Sequence, residues 1–326
     1  MGSADCGTAQ PSATGEYSAK TPVFRVSELH HSLAFDNSEQ CDNRGLRSSE
    51  ETVVPLSEES DPRRRPLAYR EEAFLESPAS RPLRILSEYL WPLAHLQDEK
   101  IQDTIVFFGS ARIGETGPLS RYFWEARDLA RLVTEWAESI STSNGSSEPR
   151  HRFVVCSGGG PGIMEAANRG AQEGGGKTIG LNIGLPFEQR PNAYITPELC
   201  FEFHYFFMRK FWFAYLAKAL VVFPGGFGTL DELTEILTLA QTKKLESKIL
   251  IVLYGSEFWK EILNFDALVK HGVISKSDLN LFRFADTPQA ALQILKEDLT
   301  RYYLEPESAL QHPVEEAPEI ARSRTS

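Results

Sequence analysis

Two stretches of this chain carry residue types that chemistry needs and a turn or a core does not. The first is "PGGFGTLDE", Pro224 to Glu232, which follows the apolar run "KALVVF". A tight turn uses one glycine or two. Here three glycines, a threonine and two carboxylates stand between the apolar run and a helical pattern. Glycines let backbone N–H groups approach a phosphate, and the start of a helix adds partial positive charge. Thr229 and Glu232 also have the T-x-x-E spacing of a capping box, in which the hydroxyl accepts from the Glu232 N–H and the carboxylate reaches back. That box accounts for the pair but not for the glycines around it. A phosphate or a sugar arriving at this helix start accounts for both. Leu230, Leu233, Ile236 and Leu237 form the buried stripe, which leaves Asp231, Glu232 and Glu235 off it.

The second stretch is "FMRKFWF". Arg209 and Lys210 interrupt a helical segment otherwise made of aromatic and aliphatic groups. Unpaired buried charge is costly, so the two need acceptors. Either they reach the rim, or they pair with Glu232 or another acid, or they meet a ligand.

Two further loops have unusual composition. "GSARIGETG" contains Gly109, Ser110 and Arg112, and "SGGGPG" contains Gly158, Gly159 and Gly160. Each follows an apolar run and precedes a helical pattern. The glycines either cradle an anion or simply allow tight turns and close helix packing, and Pro161 suits the first turn of the following helix. The spacing is not G-x-G-x-x-G, and no acidic residue ends a following strand to hold a ribose as in a dinucleotide site. No G-x-x-x-x-G-K-[ST] is present, which argues against a P-loop NTPase. A nucleoside monophosphate is the ligand class that fits best.

The elements that must position these residues alternate along the chain. Apolar strand patterns stand at "DTIVFFG", "HRFVVCSG", "KTIGLNIGL", "ALVVF", "KILIVLYG" and "LFRFAD". Between them run helical patterns: "SRYFWEARDLARLVTEWAES", "IMEAANRGAQEGG", "HYFFMRKFWFAYLAKA", the stretch after "PGGFG", "EFWKEILNFDALVKHG" and the closing "PQAALQILKEDLTRYY". Strands that are apolar throughout are buried on both faces, and alternation with helices predicts a mostly parallel sheet. The fold class is α/β, a doubly wound Rossmann-like sheet with helices on both faces. In such sheets ligands bind outside the C-terminal ends of the strands, where all three glycine-bearing loops lie.

Composition bounds the rest. The 326 residues carry a net charge of −11, a surface that attracts neither nucleic acid nor anionic membrane. The four cysteines, Cys6, Cys41, Cys156 and Cys200, are scattered and read as reduced thiols of a cytoplasmic protein, and neither they nor the seven histidines show metal spacing. No membrane span or signal sequence is predicted. Residues 1–65 are polar and acidic, with too few large apolar groups to order themselves, and are expected to be disordered. Residues 66–304 form the expected catalytic domain, with 66–100 as a leading helical extension, and 305–326 read as a loose tail. The aromatic helix around "HYFFMRKFWF" is apolar over more than one face and is expected to pack against a second copy.

With these residues in view, the chain resembles the Lonely Guy family of phosphoribohydrolases, often labelled "lysine decarboxylase". Its PGG-x-G-T-x-x-E signature stands at Pro224 to Glu232 and its Arg-Lys pair at Arg209 and Lys210, while "FFGSAR" and "SGGGPGIMEAANRGA" match its nucleotide-binding loops. The likeness runs from about residue 70 to 304, and "FLESPASRPLRILSEYL" looks like the longer bacterial branch. The resemblance implies hydrolysis of a purine (cytokinin) nucleoside 5′-monophosphate to free base and ribose 5-phosphate, with AMP as a further substrate and no cofactor or metal. It makes Arg209 and Glu232 the catalytic pair. It makes Gly109, Ser110, Arg112, Gly158, Gly159, Gly160, Lys210, Gly225, Gly226, Phe227, Gly228, Thr229 and Asp231 substrate-binding, in a homodimer or larger homo-oligomer. Short family members read H-E-R-K where this chain has Phe207 and Met208 before Arg209. Losing that acid leaves Arg209 without a local partner. The competing readings are a non-catalytic nucleotide or cofactor carrier on the same scaffold, and a decarboxylase dependent on pyridoxal phosphate.

Overall fold

A computed structural model describes residues 66–143, 150–184, 190–245 and 247–305. The disorder expected over 1–65 lies outside the described residues, as does the loose tail expected over 305–326 apart from Glu305. In chain order the elements are α1 (Glu72–Glu76), α2 (Arg81–Asp98), β1 (Thr104–Phe108), α3 (Ser120–Ser143), β2 (Val154–Ser157), α4 (Ile163–Glu173), β3 (Thr178–Ile183) and β4 (Cys200–Phe203). They continue with α5 (Phe206–Tyr215), β5 (Ala217–Val222), α6 (Phe227–Gln241), β6 (Leu250–Tyr254), α7 (Ser256–Ile262), α8 (Phe265–Lys270), β7 (Phe282–Ala285) and α9 (Pro288–Leu299).

The strands form one sheet in the order β4-β3-β2-β1-β5-β6-β7, and every pairing is parallel. Side chains alternate across a strand, so the apolar runs feed two cores at once. Ile105, Phe107, Val155, Val221 and Val252 pack under α3, α4 and α9. Val106, Phe108, Cys156, Leu220 and Ile251 pack under the face that carries α2, α5, α6 and α7. This is the doubly wound α/β fold that the alternating pattern predicts.

From β1 the chain steps outward through β2, β3 and β4, then returns to place β5 on the other side of β1. The loops after β1 and β5 leave in opposite directions at this switch, which opens a crevice at the C-terminal ends of the two strands. The strands' hydrogen bonding continues into these loops: Phe223 N donates to Phe108 O at 2.8 Å and Ser110 N to Pro224 O at 3.0 Å.

Three elements differ from the sequence reading. Strand β4, "CFEF", was not anticipated; it pairs with β3 from Gly180/Cys200 to Ile183/Phe203. The helix expected to run to Ala219 ends at Tyr215, because Ala217 is already paired with Thr104 in the sheet. Parallel pairing there outweighs the local helical pattern. The single helix expected across "EFWKEILNFDALVKHG" is two, since Asn264 accepts from Ala267 N at 2.9 Å and starts α8 afresh.

The leading helix α2 holds α5 in place by a local device. Pro92 lies inside α2 and has no N–H to give to the carbonyl four residues back. That carbonyl belongs to Glu88, and it accepts the Trp212 indole N–H at 2.8 Å instead. The Glu88 carboxylate meanwhile accepts from the backbone N–H groups of His204 at 2.7 Å and Tyr205 at 3.3 Å. A carboxylate at the start of α5 also suits the helix dipole.

Candidate functional site

Loop 224–228 forms the centre of the crevice. Helix α6 begins at Phe227 with Gly226 as its N-cap, and no side chain caps it. The capping box read from T-x-x-E is therefore absent: Thr229 is the third helical residue, one turn past the position a box requires. Its side chain lies against Gly225, where a Cβ would overlap the Thr229 hydroxyl. Gly225 is thus required by packing. Gly226 and Gly228 are not, because a Cβ at either would meet open space and neither has positive φ. The first N–H groups of a helix have no partner within it. With Gly226 as cap, those of α6 face outward over bare glycine.

Loop 157–162 behaves differently. Gly159 adopts φ +73° and its N–H already donates to Ser157 Oγ at 3.0 Å. Its carbonyl accepts from Asn192 N at 2.8 Å and from Asn192 Nδ2 at 3.0 Å; Asn192 Nδ2 also reaches Gly160 O at 3.1 Å. The first N–H of α4, on Ile163, donates to Ser110 O at 3.2 Å. Turn geometry and packing therefore account for much of this loop. Gly158 gives space of another kind, since a Cβ there would stand 2.5 Å from a terminal guanidinium nitrogen of Arg209. In the β1 loop the Ser110 hydroxyl accepts from Arg112 N at 3.1 Å, and the Arg112 side chain is exposed.

Arg209 projects from α5 toward the ends of β2 and β3. Its Nε donates to Leu181 O at 2.8 Å and its guanidinium lies 5.1 Å from the centre of the Phe213 ring. A backbone carbonyl and an aromatic face thus accompany Arg209, and Met208 rather than an acid precedes it. Burial lowers its pKa, while the charge of Glu232 opposes that shift. Glu232, on the second turn of α6, is only 9% exposed. Burial pushes its carboxyl up from 4.5 to about 7, against the pull of Arg209 and Lys210. Arg209 and Glu232 feel one another's charge without forming an ion pair among the described residues.

Lys210 and Asp231, both expected at the substrate, are joined to one another at 2.8 Å, with Glu235 completing the group at 2.9 Å from the same ammonium. Burial works against the charge on Lys210, but the bonds to Asp231 and Glu235 outweigh it and its pKa is raised. Phe227 stands at the mouth of the site, 92% exposed. On the β6 side of Pro224 and Gly225, a cavity of about 320 Å3 is lined by Ser110, Arg112, Ile113, Leu119 and Phe258. Sequence reasoning missed Glu235, Glu88 and Asn192. Glu235 carried a signal, since it lies four residues after Asp231 on one helix face. For Asn192, in a loop after β3, the sequence offers none.

Fold and site together define a doubly wound α/β protein with a buried carboxylate and a buried guanidinium near the uncapped start of a helix. Comparison with known proteins agrees with the resemblance drawn from the motifs. The family described as "Possible lysine decarboxylase" matches residues 164–295. The chain is 28% identical over 212 residues to a probable cytokinin riboside 5′-monophosphate phosphoribohydrolase of Oryza sativa subsp. japonica, covering 62% of this chain and 86% of that protein. It is 28% identical over 205 residues to a cytokinin riboside 5′-monophosphate phosphoribohydrolase of Arabidopsis thaliana, covering 62% and 85%. Among solved structures, a molybdenum cofactor carrier protein from Chlamydomonas reinhardtii aligns with TM-score 0.39 and 20% identity over 61% of this chain and 99% of that one.

Proposed function

We propose that this chain hydrolyses the N-glycosidic bond of a purine nucleoside 5′-monophosphate, releasing free base and ribose 5-phosphate. The observation that carries the reading is Glu232, a buried carboxyl at about 7 that faces Arg209 beside the bare start of α6. The phosphate meets the N–H groups of the first turn of α6 above Gly226 and Gly228. Water attacks C1′ as the C1′–N bond breaks; its hydroxyl stays on the sugar and its proton ends on the base. Positive charge grows on the sugar in this step, and ionised Glu232 stabilises it, takes the proton from water and passes it on to the departing base, which leaves the carboxylate ionised again. Arg209 steadies the departing base through its fork of donors. Phe227 offers the ligand an exposed ring at the mouth. The reaction as written needs no cofactor. The names of the relatives point to cytokinin riboside monophosphates, and AMP is the parent nucleotide of that class without its N6 substituent. We assign the activity to residues 66–304 of a cytoplasmic protein.

A decarboxylase working through a Schiff-base lysine does not fit these residues. Such a lysine must shed its proton to attack a carbonyl. Lys210 is held charged between two carboxylates. Lys218, whose Nζ lies 3.2 Å from Ser247 Oγ, is the second residue of β5, at the opposite end of the sheet from the site.

The reading also includes self-association. Phe206, Phe207 and Phe211 of α5 are 53%, 50% and 38% exposed, beside Leu86 and Leu90 of α2, each 50% exposed. A contiguous apolar face of this kind marks an interaction surface. A second copy covers it, and a monomeric mass by light scattering refutes that.

The functional test is product analysis of the purified protein with AMP and with isopentenyladenosine monophosphate, beside Glu232→Gln. Free base from either nucleotide, lost in the variant, is the expected result. Binding without base release overturns the hydrolase reading in favour of a carrier.

A further inference from the structure

The ion-paired group next to the catalytic pair has a chemical consequence. Around Glu232 stand two cations, Arg209 and Lys210 of α5, and two anions, Asp231 and Glu235 of its own helix. Cys156, on β2 behind Arg209, is neutral because burial pushes its thiol far up. Lys210 joins α5 to α6 at the residue before and the third residue after Glu232, with Nζ–O distances of 2.8 and 2.9 Å. Its side chain is 19% exposed, while those of Asp231 and Glu235 are 59% and 37% exposed, so solvent screens Asp231 most and Lys210 least.

Resting on the phosphoribohydrolase reading, we propose that Lys210 is a positioning residue: held between Asp231 and Glu235, it cancels their charge at Glu232 and so sets the pH at which that carboxylate becomes available. With Lys210 in place the surrounding charges sum to zero. Without it, two carboxylates face Glu232 against Arg209 alone, and its ionisation is disfavoured. Removing one of the acids instead leaves a net positive surround and favours it. The two kinds of substitution therefore act in opposite directions, although both break the same clamp. A purely structural clamp predicts the same direction for both.

The test is the pH profile of kcat/KM for AMP in wild type, Lys210→Met, Lys210→Arg, Asp231→Asn and Glu235→Gln. A 13C NMR titration of the Glu232 carboxyl in the same proteins accompanies it. In Lys210→Met the acid limb moves up by about one pH unit, so that kcat/KM at pH 7 falls roughly fivefold and recovers at high pH. In Asp231→Asn and Glu235→Gln the limb moves down, and Lys210→Arg stays near wild type. Limbs that stay put, or move in the same direction in both kinds of variant, overturn the proposal. The NMR midpoints decide the matter even if AMP is not hydrolysed, which separates failure here from failure of the functional reading. Should Lys210→Met not fold, the two acid variants carry the test, and a Glu232 midpoint that does not fall in either overturns it.

Discussion

Replacing Glu232 by glutamine should destroy activity and at the same time stabilise the protein, but only above a particular pH. The carboxyl is held at about 7 in the folded chain against an ordinary 4.5, with burial as the main cause. Each tenfold change in acidity is worth roughly 1.4 kcal/mol, so keeping this group ionised in the fold costs on the order of 3 kcal/mol. The folded state binds a proton that the unfolded chain releases between pH 4.5 and 7. Stability attributable to this group therefore falls as pH rises through that window, then stays level. Glutamine mimics the protonated form and removes the slope. At pH 8 Glu232→Gln should be more stable than wild type by about 3 kcal/mol, or roughly 6–12 °C in Tm for a domain of this size. Near pH 4 the two proteins should coincide. Urea unfolding at pH 4, 6 and 8 measures the difference directly, alongside base release from AMP. A stability difference that is the same at all three pH values, or that grows toward acid, refutes the reasoning even if activity is lost.

Other consequences can be checked in the same way. Arg209→Ala should lower kcat for AMP hydrolysis on the order of 10²–10³-fold, by analogy with removing one preorganised transition-state donor. Steady-state kinetics measure it, and unchanged turnover counts against any role for the guanidinium. Gly228→Ala should leave Tm unchanged or slightly raised, since its Cβ meets open space inside α6, while AMP binding measured by calorimetry weakens at least tenfold. Gly225→Ala, whose Cβ runs into Thr229, should instead lower Tm. Glu88→Ala frees the two N–H groups that lead into α5 and should cost about 1–2 kcal/mol. It should also lower kcat, because α5 carries Arg209; thermal unfolding and kinetics together test this.

The sequence by itself determined the layered architecture. Strands apolar on every residue have no face for water, so they must lie inside a parallel sheet with helices on both sides. It also marked where chemistry sits, because "PGGFGTLDE" and the Arg209–Lys210 pair contain more glycine and charge than turns or cores require. Tertiary structure alone decided what those residues do with one another. Strand β4 and the early end of α5 follow from sheet register, a pairing between residues far apart in the chain. The T-x-x-E spacing allowed a capping box, but the actual helix start at Phe227 moved Thr229 inside the helix and left Gly226 as a bare cap. The sequence left open which acid Lys210 would meet, and the tertiary structure brought Asp231 and Glu235 to within 2.9 Å of its ammonium. Glu232 is an ordinary carboxylate in the sequence. Its acidity is a property of the buried space that α5 and α6 enclose, and desolvation there depends on elements that the local pattern around residue 232 does not encode.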